Sequence, residues 1–320
     1  MRAEKKYYYE IAVALDAIWQ QAVYTYHSDQ QLVARAIVVV PFGREKKPGY
    51  IIRGVQKPEF ATKSIASVTG VSLPDTSLRL YRWMQDFYPG SPGVQLQYQL
   101  PSLLKTKLPE LTDTKVAIAQ SPDPLTPAQQ KAHEQIQADD KPVILHGITG
   151  SGKTRLYCEI AKPYIEKGQD VLILYPEISL TGQLQSVLTS YFGKQAVNAY
   201  HSKQTLTAQR KTWLRAHAGP TNTGRVFIGP RSALFLPLKN IGLIIVDESH
   251  DGAYKQDNGS KYNGLIVAAA LASIHTAKLV LGSATPPVQE THQILEKGGK
   301  LVEMTSLAKL TTTKKKFSVI

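Results

Sequence analysis

A glycine-rich run that ends in a lysine and a threonine, GITGSGKT, occupies residues 147–154. It follows an apolar, strand-like run and precedes a helical pattern, which is the context that phosphate binding requires. The glycines would let backbone N–H groups face the phosphates, the lysine would reach the β and γ oxygens, and the threonine hydroxyl would coordinate Mg²⁺. The residues assigned to this phosphate loop are Gly147, Gly150, Gly152, Lys153 and Thr154. The alternative is a glycine-rich turn that caps the next helix.

Two adjacent carboxylates follow a second apolar run, residues 241–246. Asp247 would hold Mg²⁺, and Glu248 would orient or deprotonate the attacking water, which is the second half of a nucleotide-hydrolysing site. An acidic pair after a buried strand can also cap the next helix. A third apolar run, residues 279–281, leads into the small residues GSATP at 282–286, a segment that on its own is typical of a turn.

The elements that would position these residues alternate between strand and helix patterns. Strand-like runs are followed by helical periodicity from residue 153 to 166 and from about residue 179 to 192. This alternation predicts a parallel α/β sheet. The strand-like runs are residues 143–145, 171–175, 226–228, 241–246 and 279–281.

The chain before this region has a different texture. Residues 1–105 are rich in Val, Ile and Tyr, with short strand-like runs and a helical pattern from residue 76 to 88. We therefore expect a small β-rich domain, a proline-containing linker over residues 106–124, and an α/β domain over residues 125–310. Residues 311–320 read as a connector to a further lobe.

Composition narrows the class of partner. The 320 residues carry a net charge of +13 at pH 7, which suits a polyanion such as nucleic acid. The single cysteine, Cys158, excludes an internal disulfide framework, and the eight histidines show no metal-ligand spacing. The sequence shows neither a signal-peptide pattern nor an apolar run long enough to span a bilayer, so we expect a cytoplasmic protein without membrane contact.

Taken in order, the phosphate loop, the Asp-Glu pair and the GSAT segment resemble the first RecA-like lobe of a superfamily 2 helicase. The resemblance narrows to the primosomal replication-restart helicases of the PriA family. LTPAQ at 125–129 resembles that family's adenine-reading segment, with Gln129 as the base contact, and YPEISL at 175–180 resembles its motif Ia. GPRSALF at 229–235 resembles its motif Ib, in which Arg231 and Ser232 would touch the DNA backbone.

An aromatic segment after the Asp-Glu pair resembles the loop that links DNA binding to ATP hydrolysis in this family. Tyr254 and Tyr262 would offer ring faces for base stacking, and Lys255 and Lys261 would offer charge to phosphates. A surface loop with incidental tyrosines is the alternative.

The N-terminal domain resembles the family's 3′-end DNA-binding domain through VVVPFGR at residues 38–44. Tyr24, Tyr26 and Gly43 would form a pocket that stacks a terminal base and admits its 3′ hydroxyl. Thr25 stands where the family has an acidic residue. A small β-barrel with core tyrosines is the alternative.

The resemblance implies an ATP-dependent 3′-to-5′ DNA helicase in replication restart, with ATP and Mg²⁺ as cofactors. Forked and single-stranded DNA, primosome proteins and single-stranded-DNA-binding protein would be its partners. The family's winged-helix domain, second lobe and zinc module are not recognisable here. Because an arginine from a second lobe can be worth about 10³- to 10⁵-fold in rate, we expect these residues alone to hydrolyse ATP poorly. A non-enzymatic fork-binding module and another superfamily 2 translocase remain open.

Overall fold

A computed structural model gives the structure of the protein over residues 5–15, 21–101, 104, 124–176, 182–220, 222–257 and 261–306, with the backbone alone at 182 and 183. Residues 106–123 of the predicted linker lie outside the described residues, as do residues 177–180 of the YPEISL segment and the predicted connector at 311–320.

The N-terminal domain is a six-stranded sheet that closes on itself. Its strands are β1 (Tyr7–Val13), β2 (Val23–Ser28), β3 (Ala36–Phe42), β4 (Glu45–Val55), β5 (Lys63–Ser64) and β6 (Ser67–Ser72). The sheet has the order β5-β2-β1-β4-β3-β6. Ile65 and Ala66 connect the two end strands, β5 and β6, along the chain. The Ile65 N–H donates to the carbonyl of His27 on β2, and the Ala66 N–H donates to that of Val39 on β3. The segment from β5 to β6 therefore crosses from β2 to β3 and closes the sheet into a small barrel.

Alternating side chains fill the interior of this barrel. Ile11, Val13, Val38 and Val40 are fully buried in this interior, whereas the intervening Ala12 and Ile37 are buried in the cluster on the other face of the sheet, because successive residues of a strand point to opposite faces. Tyr26 is 5% exposed and belongs to the same cluster, so the prediction of a β-rich domain is confirmed and the core-tyrosine alternative is also right for this ring.

Two helices follow the barrel: α1 (Asp75–Phe87), which the helical pattern predicts within one residue, and α2 (Pro92–Gln99), which we did not predict. Their apolar faces share one hydrophobic cluster with the following α/β domain. The hydroxyl of Thr76 donates to the carbonyl of Leu238 at 2.9 Å, and Arg79 donates to that of Ile274 at 3.2 Å. The helices thus attach the barrel to the α/β domain.

The second domain contains a seven-stranded sheet in which every neighbouring pair is parallel. In sheet order, its strands are β15 (Lys300–Met304), β7 (Val143–Gly147), β14 (Lys278–Ser283), β11 (Ile241–Val246), β8 (Asp170–Leu174), β10 (Val226–Gly229) and β9 (Val197–Ala199). The predicted parallel α/β sheet is confirmed. A separate two-stranded hairpin consists of β12 (Lys255–Gln256) and β13 (Tyr262–Asn263).

Helices connect these strands. They are α3 (Pro127–Gln137), α4 (Lys153–Glu166), α5 (Gly182–Phe192), α6 (Leu206–Ala218), α7 (Gly264–His275) and α8 (Val288–Glu296). Every residue of β8, β11 and β14 is buried, as expected for parallel strands covered on both faces. Among the described residues, no helix has the length and apolarity needed to cross a membrane.

Candidate nucleotide site and DNA-end pocket

The predicted phosphate loop lies between the end of β7 and the start of α4. Gly150 and Gly152 have φ of +82° and +81°, a left-handed conformation that favours glycine. A Cβ on Gly147 would lie 2.9 Å from the Ser151 Oγ and 3.1 Å from the Lys153 Cγ. These glycines therefore allow a tight turn that leads into the N-terminus of α4, where unpaired N–H groups suit an anion.

Lys153 and the acidic pair meet at this turn. The Lys153 Nζ donates to the Gly147 carbonyl at 2.9 Å and lies 3.5 Å from the Glu248 Oε1. The three strands β7, β14 and β11 are neighbours in the sheet, so the segments after them converge at one edge. Ligands bind at the carboxyl ends of the strands in such sheets. The structure thus brings together Lys153, Asp247 and Glu248, as the sequence predicts.

Asp247 is held by two tyrosine hydroxyls. Tyr157 on α4 donates to the Asp247 Oδ1 at 2.8 Å, and Tyr254 donates to the Asp247 main-chain carbonyl at 2.6 Å. Burial raises the pKa of the Asp247 carboxyl, and the Tyr157 hydroxyl opposes that rise. Burial, together with the Asp247 charge, raises the pKa of Tyr157 well above its usual value. Tyr157 therefore stays protonated and acts as the donor.

The GSAT segment after β14 contacts the acidic segment directly. His250 Nδ1 and the Ser283 Oγ are joined by a hydrogen bond of 2.7 Å, and the Ser283 Oγ also accepts from the Thr285 N–H at 3.0 Å. The Ser249 N–H donates to the Gly282 carbonyl at 2.9 Å. The two segments therefore form one hydrogen-bonded unit.

Gln129 lies beside the phosphate loop. Its side chain accepts from the Thr126 N–H at 2.9 Å within a capping box at the start of α3. Its Nε2 donates to the carbonyls of Ser151 and Gly152 at 3.5 and 3.3 Å. Through these bonds, Gln129 links α3 to the phosphate loop, and its side chain is buried. Its role as a base contact stays a prediction.

The donor set fits a nucleotide-borne magnesium ion. No group of three or more His, Cys, Asp or Glu residues that could hold a metal occurs in the described part of the chain. Mg²⁺ is usually bound by one or two protein oxygens together with substrate phosphates and water, so a large ligand cluster is not needed. The Thr154 hydroxyl and the Asp247 carboxylate supply oxygens of that kind next to the phosphate loop.

The aromatic segment is placed differently from our expectation. Tyr254 is 1% exposed and Tyr262 is 6% exposed, so both rings are packed inside the protein and present no stacking face to solvent in this conformation. Tyr262 packs edge-on against Tyr98 of α2 and against Phe235. Lys255 and Lys261 are exposed, and their phosphate contacts stay predictions.

The side chain of Arg231 is engaged with the same segment. Its Nη1 donates to the Ala253 carbonyl at 2.9 Å and to the Lys255 carbonyl. In this conformation, Arg231 therefore positions the aromatic segment through Nη1, and its contact with DNA stays a prediction. Ser232 is exposed, and its backbone contact stays a prediction. Arg231, Ser232 and Tyr262 line a cavity of about 330 Å³.

The structure brings the N-terminal residues Tyr24, Tyr26 and Gly43 together around a cavity of about 540 Å³. Tyr24 packs edge-on against Phe42 with ring centroids 5.2 Å apart. The Tyr26 hydroxyl donates to the Pro41 carbonyl at 3.2 Å, and burial raises the pKa of Tyr26 to about 12. A Cβ on Gly43 would meet nothing within 4 Å, so its φ of +58°, and not crowding, favours glycine there.

Sequence reasoning missed other residues of this pocket. Phe60, which is 63% exposed, lines the cavity, and so does Lys63. Glu10 also lines it and pairs directly with Thr25 across the β1–β2 ladder. Two bonds from Arg53, at 2.7 and 3.2 Å, hold the Glu10 carboxylate and lower its pKa. The pairing of β1 with β2 could not be predicted from the sequence, and so nothing indicated that Glu10 lies at this cavity.

Family models match both domains. A DEAD/DEAH box helicase model matches residues 126–294, which is more than half of the chain. The model of the PriA 3′ DNA-binding domain (3′BD) matches residues 10–101.

Several similar proteins bear the name replication restart protein PriA. That of Rickettsia conorii is 34% identical over 274 residues, which are 85% of this chain and 42% of the relative. The protein of Synechocystis is 39% identical, and the match covers 62% of this chain and 22% of the relative. The protein of Chlamydia pneumoniae is 42% identical, and the match covers 53% of this chain and 23% of the relative. The chain spans about two fifths or less of the length of these relatives. It belongs to the DEAD/DEAH box helicase family, and it resembles PriA in carrying a 3′ DNA-binding domain ahead of the helicase lobe.

Proposed function

We propose that this chain performs the nucleotide-binding and DNA-end-binding steps of an ATP-dependent 3′-to-5′ DNA helicase in replication restart, at stalled or abandoned forks in the cytoplasm. One observation carries the proposal: the phosphate loop, the Asp-Glu pair and the GSAT segment meet at one sheet edge. Primosome proteins and single-stranded-DNA-binding protein are proposed as partners because PriA relatives bear the name of replication restart proteins.

Each residue of the nucleotide site has a distinct task. The loop N–H groups and the Lys153 ammonium would bind the phosphates, and Thr154 with Asp247 would hold Mg²⁺. That ion, when bound, would neutralise charge on the phosphates. The Glu248 carboxylate would accept the proton of the attacking water. Its 3.5 Å contact with Lys153 would then be replaced by the contact between Lys153 and phosphate.

The lining of the N-terminal cavity, which we call the DNA-end pocket, suits the 3′ end of a DNA strand. Aromatic rings can stack the terminal base, and Lys63 lies at the cavity as a cation for a phosphate. A 3′ hydroxyl is a donor and needs an acceptor. Thr25 cannot supply a carboxylate, but Glu10 on the neighbouring strand can, because a carboxylate holding two Arg53 bonds retains further acceptor sites. We therefore assign hydroxyl recognition to Glu10.

Binding of a fluorescent ATP analogue and of a labelled fork, measured on the same chain, tests the proposal. Lys153→Ala should abolish nucleotide binding and leave fork binding intact, because the DNA-end pocket lies in the other domain. Lys167→Ala, an exposed lysine at the end of α4, is the matched control and should change neither. If the wild-type chain binds forks but never nucleotide, the non-enzymatic fork-binding module is the correct reading.

A further inference from the structure

A buried tyrosine on the helix after the phosphate loop reaches the acidic residue of the neighbouring strand. Tyr157 is 0% exposed, and its hydroxyl is 2.8 Å from the Asp247 Oδ1. A hydrogen bond from a neutral donor to a carboxylate is stronger than one between two neutral groups. The bond crosses from α4 to the end of β11, so it connects the two halves of the nucleotide site.

The third segment of the site is built around the same hydroxyl. A Cβ on Gly282 would lie 1.9 Å from the Tyr157 hydroxyl oxygen and 3.6 Å from the Asp247 Oδ1. Real Cβ atoms do not approach other atoms so closely, so only glycine fits at position 282 while the tyrosine holds its place. Tyr157 is fully buried in the core, where a phenylalanine would fill the space equally well. The hydroxyl is what needs explanation.

A carboxylate has two oxygens, and the arrangement assigns them different tasks. Oδ1 accepts from Tyr157, and the carboxylate also accepts from the Glu248 main-chain N–H. Because a carboxylate has about four acceptor sites, Oδ2 can still take a further ligand. The main chain of Asp247 is fixed as well, because its N–H donates to Leu174 and its carbonyl accepts from Tyr254. With its main chain fixed at two points and its carboxylate bonded to Tyr157, Asp247 keeps one orientation, and outer partners of this kind orient the ligands of metal sites in proteins.

We propose that Tyr157 is a positioning residue for the nucleotide-bound Mg²⁺: its hydroxyl fixes the Asp247 carboxylate so that Oδ2 faces the ion. Gly282 makes room for that hydroxyl, which ties the GSAT segment to the same contact. The inference rests on the proposed ATP function, since it concerns how this chain binds Mg²⁺ together with nucleotide.

The test is a Mg²⁺ titration of fluorescent ATP-analogue binding to the full chain, with Tyr157→Phe beside the wild type. The loss of outer partners of a metal ligand typically weakens metal binding by about 10- to 100-fold. Tyr157→Phe should therefore need at least about ten-fold more Mg²⁺ for half-maximal enhancement of binding, while binding in excess EDTA stays at the wild-type level. Tyr164→Phe on the same helix is the matched control and should leave the midpoint unchanged.

A double-mutant cycle separates positioning from a general loss of packing. In the Asp247→Asn background, Tyr157→Phe should shift the Mg²⁺ midpoint no further, because the residue that it acts through has lost its charge. Should Tyr157→Phe fail to fold, Gly282→Ala decides, because its methyl group would push the hydroxyl away from Asp247 and raise the midpoint in the same direction.

The outcomes distinguish this inference from the function on which it rests. A wild-type midpoint in Tyr157→Phe, or an equal shift in the wild-type and Asp247→Asn backgrounds, overturns the role of Tyr157 and leaves the nucleotide site intact. Nucleotide binding by the wild type without any dependence on Mg²⁺ also overturns the role of Tyr157 alone, whereas a wild-type chain that binds no nucleotide at any Mg²⁺ concentration overturns both.

Discussion

Removal of one hydroxyl group, by Tyr254→Phe, tests whether the aromatic segment is built into the nucleotide site or is a stacking surface. The Tyr254 hydroxyl donates to the Asp247 carbonyl at 2.6 Å, and the ring is 1% exposed. The substitution keeps the ring and creates no large cavity. It leaves a buried carbonyl without this donor, which costs about 1–3 kcal/mol. We expect the free energy of unfolding to fall by about that amount.

Urea denaturation of the full chain measures this change as a shift of the midpoint at constant slope. Tyr262→Phe is the matched control, because this ring is also buried and its hydroxyl makes no hydrogen bond within the described part of the chain. The control should lie close to the wild type. Affinity for single-stranded DNA, measured alongside, should be unchanged in both variants because phenylalanine stacks as tyrosine does. Tyr254→Phe with wild-type stability would refute the reasoning.

Three further predictions concern other contacts. Burial lowers the pKa of His275 from 6.5 to about 4, so the free energy of unfolding should fall as pH decreases from 6.5 to 4. His275→Asn, whose amide oxygen can accept the Ile241 N–H as Nδ1 does, should flatten that slope in urea titrations. Tyr88→Phe removes both bonds to Asn263, at 3.2 and 3.4 Å, and should cost about 1 kcal/mol by the same assay. Gln129→Ala should weaken nucleotide binding and remove any preference for ATP over GTP in competition titrations; unchanged preference would contradict the predicted base contact.

Local patterns predicted the elements that carry the nucleotide site. The predicted helix from residue 153 to 166 and the strand from 241 to 246 have the observed bounds. The helix begins directly after Gly152, and the strand, which has no polar side chain, ends directly before Asp247. The convergence of Lys153, Asp247 and Glu248 followed from the parallel sheet, since its strands end at one edge. In this part of the molecule, the local sequence pattern and the order of the strands were therefore enough to predict which residues meet.

Contacts between distant segments could not be predicted. Tyr262 is covered by Tyr98 of α2, a helix that is short and half polar and gives little periodic signal. Tyr157 has the spacing of a core residue, and nothing local indicates that its hydroxyl meets Asp247. Glu10 enters the DNA-end pocket only through its pairing with Thr25. In each case, the function of a side chain depends on a partner that the fold, and not the neighbouring sequence, brings close.

The most direct test of the account is binding of this chain to a labelled fork whose arrested strand ends in a 3′ hydroxyl, compared at stated salt with the same fork ending in a 3′ phosphate. We predict tighter binding to the hydroxyl fork, and loss of that preference in Glu10→Gln, because the ionised carboxylate accepts a hydrogen bond from the hydroxyl and repels a phosphate. Equal affinity of the wild-type chain for the two forks would contradict recognition of the DNA 3′ end by the N-terminal pocket.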